Sequence, residues 1–364
     1  SNTEKELLKL IQTLNIPLVT SWNSNDLIWD NHPLNAGRPG TVGTRAGNYA
    51  VQTSDLLLVL GARLNIRQIS YNWENFADQA WICHVDVDKS ELEKPTLNQD
   101  LKIEMDLKFF FEEFYKNNIN QLIDLNKKRW MKWSEWIKNL RSKYDIYQDQ
   151  TKGVKLQKEI CPYFFIHNLT KSLKEKDTIV FADGTACVAG FQSAIIKKGQ
   201  RLYHNSGCAS MGYELPAAIG AYFATKRKIY CVAGDGSIMM NVHDLATISQ
   251  MRLPISIFIL DNGGYHSIRQ TQNNFFPNRT TGCGKESGLY FPDFKKIGEG
   301  FGIKSIVLES NEELLNQISD IVNQNGPLIC ILKIDTDIPF RPKVTSKKLQ
   351  DGSMQTARLE IMSP

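Results

Sequence analysis

Two apolar runs, each closing on a polar anchor inside a glycine turn, constrain this chain more than any other feature. Ile229-Tyr-Cys-Val-Ala-Gly-Asp235 leads into Gly234-Asp235-Gly236-Ser237, and Pro254-Ile-Ser-Ile-Phe-Ile-Leu-Asp261 leads into Asp261-Asn262-Gly263-Gly264. The anchors Asp235 and Asn262 are 27 residues apart. Between them, Met239, Val242, Leu245, Ala246 and Ile248 recur at helical spacing, so a helix is expected over Ile238 to Met251. Strand, glycine turn, helix, strand is a βαβ unit. Its right-handed crossover brings both anchors to the carboxyl edge of a parallel sheet, where ligands bind. A hard cation such as Mg²⁺ takes oxygen ligands and bridges a carboxylate to phosphates. The glycines let backbone N–H groups approach a diphosphate at a helix N-terminus. The plain alternative is a doubly wound nucleotide fold in which Asp235 and Asn262 only cap turns.

A second segment, Ser206-Gly-Cys-Ala-Ser-Met211-Gly-Tyr-Glu-Leu-Pro216-Ala-Ala-Ile-Gly220, reads as a glycine-lined turn feeding a small-residue helix from Pro216 to Ala224. Together the two segments resemble thiamine diphosphate-dependent enzymes, and the second is similar to the SMGxxLPAAIGA run of the acetolactate synthase branch. The resemblance implies Mg²⁺ held by the Asp235 and Asn262 side chains and the Gly264 carbonyl. It also implies cofactor contacts from Ala209, Met211, Gly234, Asp235, Gly236, Ser237, Asn262 and Gly264, with Met211 holding the cofactor bent. The family's Gln-His pair aligns with Cys187-Val188, so diphosphate contacts near Gly184 and Thr185 would come mainly from backbone. Glu214 stands where a small residue is common, and is read as an exposed helix residue.

The chain divides near residue 150, at the polar connector Thr151–Leu156, giving domains 1–150 and 151–364. The first opens with an amphipathic helix over residues 1–14. Strands follow at Ile16–Thr20, Asp55–Gly61 and Trp81–Val87, and then a helical stretch over residues 105–150. Trp130, Trp133 and Trp136 form a stripe expected to pack on the neighbouring domain. The second domain runs through a helix at Pro162–Leu173, a strand at Thr178–Ala182, the motifs above and a last strand at Pro327–Ile334. The tail from Lys343 shows no periodicity. The fold class is therefore α/β, with two doubly wound parallel-sheet domains: a Rossmann-like middle domain and a thiamine diphosphate-binding domain.

His32-Pro33-Leu34, Pro39-Gly40-Thr-Val-Gly43, Asn48-Tyr-Ala-Val-Gln52 and Asp55-Leu-Leu-Leu-Val-Leu-Gly61-Ala-Arg63 are similar to the middle domain of acetolactate and acetohydroxyacid synthases. Nothing corresponds to the family's N-terminal pyrimidine domain, which carries the activating glutamate. The resemblance therefore implies a two-domain fragment, inactive by itself. The family's RFDDR flavin segment reads Arg63-Leu-Asn-Ile-Arg67 here, and loss of both acids tells against FAD. Arg67 matches the arginine that approaches the acceptor's carboxylate. A Trp tied to larger acceptors is replaced by Thr271. His266 is a candidate proton donor, with a solvated turn histidine as the alternative.

Net charge is +4, scattered and without an aromatic-interleaved basic stripe, which points away from nucleic acid. No apolar run reaches the ~18 residues of a membrane span. Seven cysteines without metal-type spacing suggest reduced thiols and a cytoplasmic protein. The expected activity is decarboxylation of a 2-oxo acid, pyruvate, and transfer of the hydroxyethyl carbanion to a carbonyl acceptor, in a homodimer or homotetramer. A decarboxylase or lyase of the same family, or a non-catalytic cofactor-binding subunit, are the alternatives.

Overall fold

The computed structural model describes residues 2–117, 120–276, 279–336 and 338–363. Residues 118 and 119 of the expected helical stretch lie outside them. The chain forms two compact units, residues 1–146 with 341–364, and residues 147–340.

In the first unit, Glu4–Leu14 is a helix that buries Leu10 and Ile11 and ends at Asn15 in the left-handed region. β1 (Leu18–Val19) pairs in parallel with β2 (Asn35–Gly37), apart from the main sheet. That sheet is parallel, with β3 (Leu56–Leu60), β4 (Trp81–Asp86) and β5 (Leu101–Glu104) in this spatial order. Of the tryptophan stripe on helix Asn120–Lys143, Trp133 stacks on Trp136 with centroids 4.9 Å apart. Trp133 also packs beside Ala36, Ala50 and Ile137, all within its own unit.

The second unit holds a six-stranded, all-parallel sheet. In chain order its strands are β6 (Thr178–Phe181), β7 (Arg201–Tyr203), β8 (Ile229–Gly234), β9 (Ile255–Asp261), β10 (Lys304–Leu308) and β11 (Leu328–Lys333). The spatial order is β10-β11-β9-β8-β6-β7. β8 and β9 are buried along nearly their whole length, as strands covered on both faces must be. One face carries Phe165, Phe181, Phe258 and Leu332, and the other Leu215, Cys231, Ile248 and Ile257. From β6 the chain moves outward to β7, whereas from β8 it moves the other way to β9. That reversal opens a crevice at the carboxyl ends of β6 and β8, the place where open α/β sheets bind ligands.

Three expectations are corrected. The helix expected over Ile238 to Met251 is broken into Asp235–Ile238, a 3₁₀ turn Met239–Asp244, and Leu245–Gln250. Asn241 leaves helical geometry at φ −133° and donates from Nδ2 to the Gly212 carbonyl at 2.8 Å. Its side chain thus stitches the broken segment to the preceding loop. The tail, expected with the second domain, belongs to the first unit as short antiparallel pairs: β12 (Lys343–Val344) with β15 (Met362–Ser363), and β13 (Ser346–Lys348) with β14 (Met354–Thr356). It is held there by Asn48 Nδ2 donating to the Leu359 carbonyl at 2.8 Å and by Arg45 donating to the Met362 and Ser363 carbonyls. Leu359 also enters the apolar cluster of Val51, Val59 and Ile69. Finally, Glu214 is fully buried rather than exposed.

Candidate cofactor and metal site

Asp235 begins the short helix after β8 and is buried, with 1% of its surface exposed. Its Oδ1 accepts the Gly236 N–H at 2.7 Å. Its Oδ2 accepts the N–H groups of Asn262 and Gly264 at 3.1 and 3.0 Å. The two anchors identified from sequence are therefore directly joined across adjacent strand ends. A carboxylate offers about four lone-pair sites, so three accepted bonds leave one for a cation. Burial pushes the Asp235 carboxyl up to about 6, against the pull of those backbone N–H groups. A cation at that position would reverse the penalty. Asn262 is also buried, and its Oδ1 has no hydrogen-bond partner. An orphaned amide oxygen beside a carboxylate with one open site fits a Mg²⁺ ligand pair.

The loop that carries them is rigid for identifiable reasons. Gly264 sits at φ +144°, and a Cβ there would lie 2.2 Å from the Cys283 carbonyl oxygen. Tyr265 N–H donates to that same oxygen at 3.0 Å. The Arg269 guanidinium donates to the carbonyls of Asn262, Gly263 and Cys283 at 3.1–3.3 Å. Arg269 belongs to none of the motifs above. The available signal was a lone guanidinium one helical turn into the polar segment after the metal loop.

On the other side of β8, the Gly212 N–H donates to Ser237 Oγ at 2.9 Å, and that hydroxyl donates to Glu214 Oε2 at 2.9 Å. Ser237 is thus tied to the Met211 turn through its side chain. Met211 is 40% exposed, an apolar surface open to a ligand, and Ala209 holds a positive φ of 55°. Gly234 has nothing within 4 Å of where a Cβ would point, so the strand end is open there. Beyond β6, Gly184 caps the Thr185–Ser193 helix at φ +86°, and Thr185 is buried in its first turn. The N-terminal turn of that helix and its dipole suit a diphosphate.

His266 opens the helix His266–Phe275 and is buried, not solvated. The Gln270 amide nitrogen meets its Nε2 at 2.9 Å, while Nδ1 is buried without a partner. Burial and then Arg269 lower its pKa, keeping the ring neutral. If Gln270 donates to Nε2, the proton sits on Nδ1 and is unpaired.

Arg67 belongs to the first unit, on the short helix Ile66–Ile69, half-buried with its guanidinium 5.4 Å from the Trp22 ring centroid. Among the described residues it makes no ion pair. Arg63 pairs with Glu91 at 2.6 Å instead. Both line a cavity of about 530 Å³ whose wall also carries Asp86, Asp88 and Asp106. Lys94 Nζ also meets Glu91 at 2.8 Å, so Glu91 is shared between two cations.

Residues 183–332 match the family described as thiamine pyrophosphate enzyme, C-terminal TPP binding domain. Residues 1–114 match the thiamine pyrophosphate enzyme central domain. A probable acetolactate synthase large subunit of Methanococcus aeolicus is 33% identical over 347 residues, covering 92% of this chain and 56% of that protein. The acetolactate synthase large subunit of Cyanidium caldarium is 30% identical over 335 residues, covering 91% and 55%. The acetolactate synthase isozyme 1 large subunit of Escherichia coli K12 is 27% identical over 354 residues, covering 94% and 58%. The chain thus spans a little over half the length of these relatives.

Proposed function

The chain belongs to the thiamine pyrophosphate enzymes, contributing their central and C-terminal cofactor-binding domains, and from this we propose an acetolactate synthase-like activity for the protein that carries it. The substrate would be a 2-oxo acid such as pyruvate, and the acceptor a second carbonyl compound. Thiamine diphosphate, when bound, would supply a nucleophilic carbon for the 2-oxo carbonyl and an electron sink for loss of CO₂.

The observation that carries the reading is the buried Asp235–Asn262 pair, with Asn262 Oδ1 unsatisfied at the carboxyl edge of adjacent parallel strands. Asp235, Asn262 and the Gly264 carbonyl would hold Mg²⁺. Backbone groups of Gly184, Thr185, Gly234 and Ser237 would receive the diphosphate, the Gly236 N–H being engaged by Asp235 Oδ1, with Ala209 and Met211 beneath the rings. Neutral His266, with an unpaired Nδ1, is suited to hold a proton over the reacting carbonyl, and Arg67 to hold an acceptor's carboxylate. Engagement of Arg63 by Glu91 favours the absence of FAD. Free thiols throughout the described residues favour a reducing compartment, and the relatives, named as large subunits of acetolactate synthase, favour a small-molecule substrate and an oligomer. Among the described residues, no helix is long and apolar enough to cross a membrane.

Calorimetric titration of thiamine diphosphate with and without Mg²⁺ tests the site. Asp235→Ala should abolish Mg²⁺-dependent binding, because the metal loses its only carboxylate. Wild-type affinity in that variant would refute the metal assignment. Product analysis on the whole protein with pyruvate separates the reactions: a condensed hydroxy-oxo acid supports the synthase, a free aldehyde a decarboxylase.

A further inference from the structure

Glu214 is a carboxyl group that cofactor binding alone does not account for. It is fully buried at the first position of the helix Glu214–Thr225, in a segment otherwise built of small and apolar residues. Its Oε2 receives the Ser237 hydroxyl, which in turn receives the Gly212 N–H, while Oε1 is buried with no partner. This relay joins the turn carrying Met211 to the turn carrying Asp235. Removing the acceptor would free the Ser237 hydroxyl to turn toward the anion site and would loosen both turns together.

We propose that Glu214 is a positioning residue for the cofactor, holding the Met211–Gly212 and Gly234–Ser237 turns as one unit in its neutral acid form, and that its ionisation expels the diphosphate. The proposal rests on the thiamine diphosphate reading of this site. Two titratable groups face the carboxyl: Asp183 at the end of β6, and Cys231 on β8, whose Sγ approaches the Glu214 backbone carbonyl at 3.7 Å. Neither supplies a positive charge, and among the described residues Glu214 makes no ion pair. Burial is the main reason its carboxyl is pushed up to about 7, reinforced by Asp183, whereas Ser237 and the backbone N–H groups of Glu214 and Gly212 oppose the shift. An anion here would leave Oε1 charged and unsatisfied beside a second anion.

The test is calorimetric titration of the chain with thiamine diphosphate and Mg²⁺ between about pH 6 and about pH 8.5, for wild type, Glu214→Gln and Glu214→Leu. If only the neutral form binds, wild-type affinity should fall about 30-fold across that range. Glu214→Gln keeps an acceptor for Ser237 and never ionises, so its affinity should stay within about threefold of constant after the ligand's own ionisation, common to both proteins, is divided out. Glu214→Leu should bind weakly at every pH. A Gln variant that follows the wild-type profile overturns the gate, and a Leu variant that binds like wild type overturns the positioning role. Failure of wild type to bind at any pH would overturn the cofactor reading, and this inference with it. The infrared difference between wild type and Glu214→Gln, without cofactor, should contain the carbonyl band of a protonated buried acid near pH 6 that fades by about pH 8.5, the contribution of Asp235 being common to both proteins. Absence of that difference band refutes the assignment.

Discussion

Gly263 and Gly264 are neighbours in the metal loop, and replacing each by alanine should have very different consequences. At Gly264 the added Cβ would lie 2.2 Å from the Cys283 carbonyl oxygen, 2.9 Å from its carbon and 3.0 Å from Arg269 Nη2. The first two atoms are backbone, so the loop itself must move by about 1 Å to reach ordinary contact. That displacement breaks the Tyr265 N–H and Arg269 bonds to the Cys283 carbonyl, at about 1 kcal/mol each. A φ of +144° adds about 1–3 kcal/mol for a residue with a side chain. The total is about 3–5 kcal/mol. At Gly263, by contrast, φ is +67° and nothing lies within 4 Å of the Cβ position, so only the left-handed penalty of about 1–2 kcal/mol applies. For a unit of this size the difference of about 2–3 kcal/mol should appear as a calorimetric Tm lower by about 4–12 °C in Gly264→Ala than in Gly263→Ala. Mg²⁺ demands near-ideal octahedral geometry, so a 1 Å shift of Asn262 and the Gly264 carbonyl should weaken Mg²⁺-dependent cofactor binding by about 100-fold. Equal Tm and equal cofactor affinity in the two variants would refute the account of this loop.

Asn262→Ala should leave stability within about 1 kcal/mol of wild type, because its buried Oδ1 makes no bond to lose, yet remove the Mg²⁺ dependence of binding; denaturant titration and calorimetry read the two effects separately. Glu214 has a folded pKa raised from 4.5 to about 7, so the native state binds the extra proton. Its contribution to stability is greatest below about pH 4.5 and falls by about 3 kcal/mol as pH rises through 7, a decline that Glu214→Gln should abolish in calorimetric scans. Equal slopes in the two proteins would mean that Glu214 titrates normally. In the protein that carries this chain, Arg67→Lys should lower kcat/KM for a carboxylate-bearing acceptor about ten- to a hundredfold, through loss of about 1.5–3 kcal/mol, while sparing decarboxylation of the donor. Unchanged acceptor kinetics would remove Arg67 from the site.

The amino-acid sequence by itself determined the parts of the site built from local pattern. Ile229–Gly234 and Ile255–Asp261 read as buried strands because their apolar runs are continuous and end at glycine turns, and the structure pairs them in parallel. The spacing of Asp235 and Asn262 follows from one crossover, so their meeting at adjacent strand ends could be foreseen. Tertiary structure decided whatever depends on a partner distant in the chain. Nothing local to Glu214 shows that Ser237 will donate to its carboxyl, and the same residue on an uncovered helix face would be solvated. Nor does the Asn241 sequence context reveal that Gly212 will offer a carbonyl to its side chain and break the helix there. The tail's strands are two or three residues long, too short to show a period of two, and their place is set by Asn48 and Arg45, some 300 residues away. Periodicity records which side of an element will be buried; only the fold supplies what it is buried against, and for a polar group that partner fixes its charge and its role.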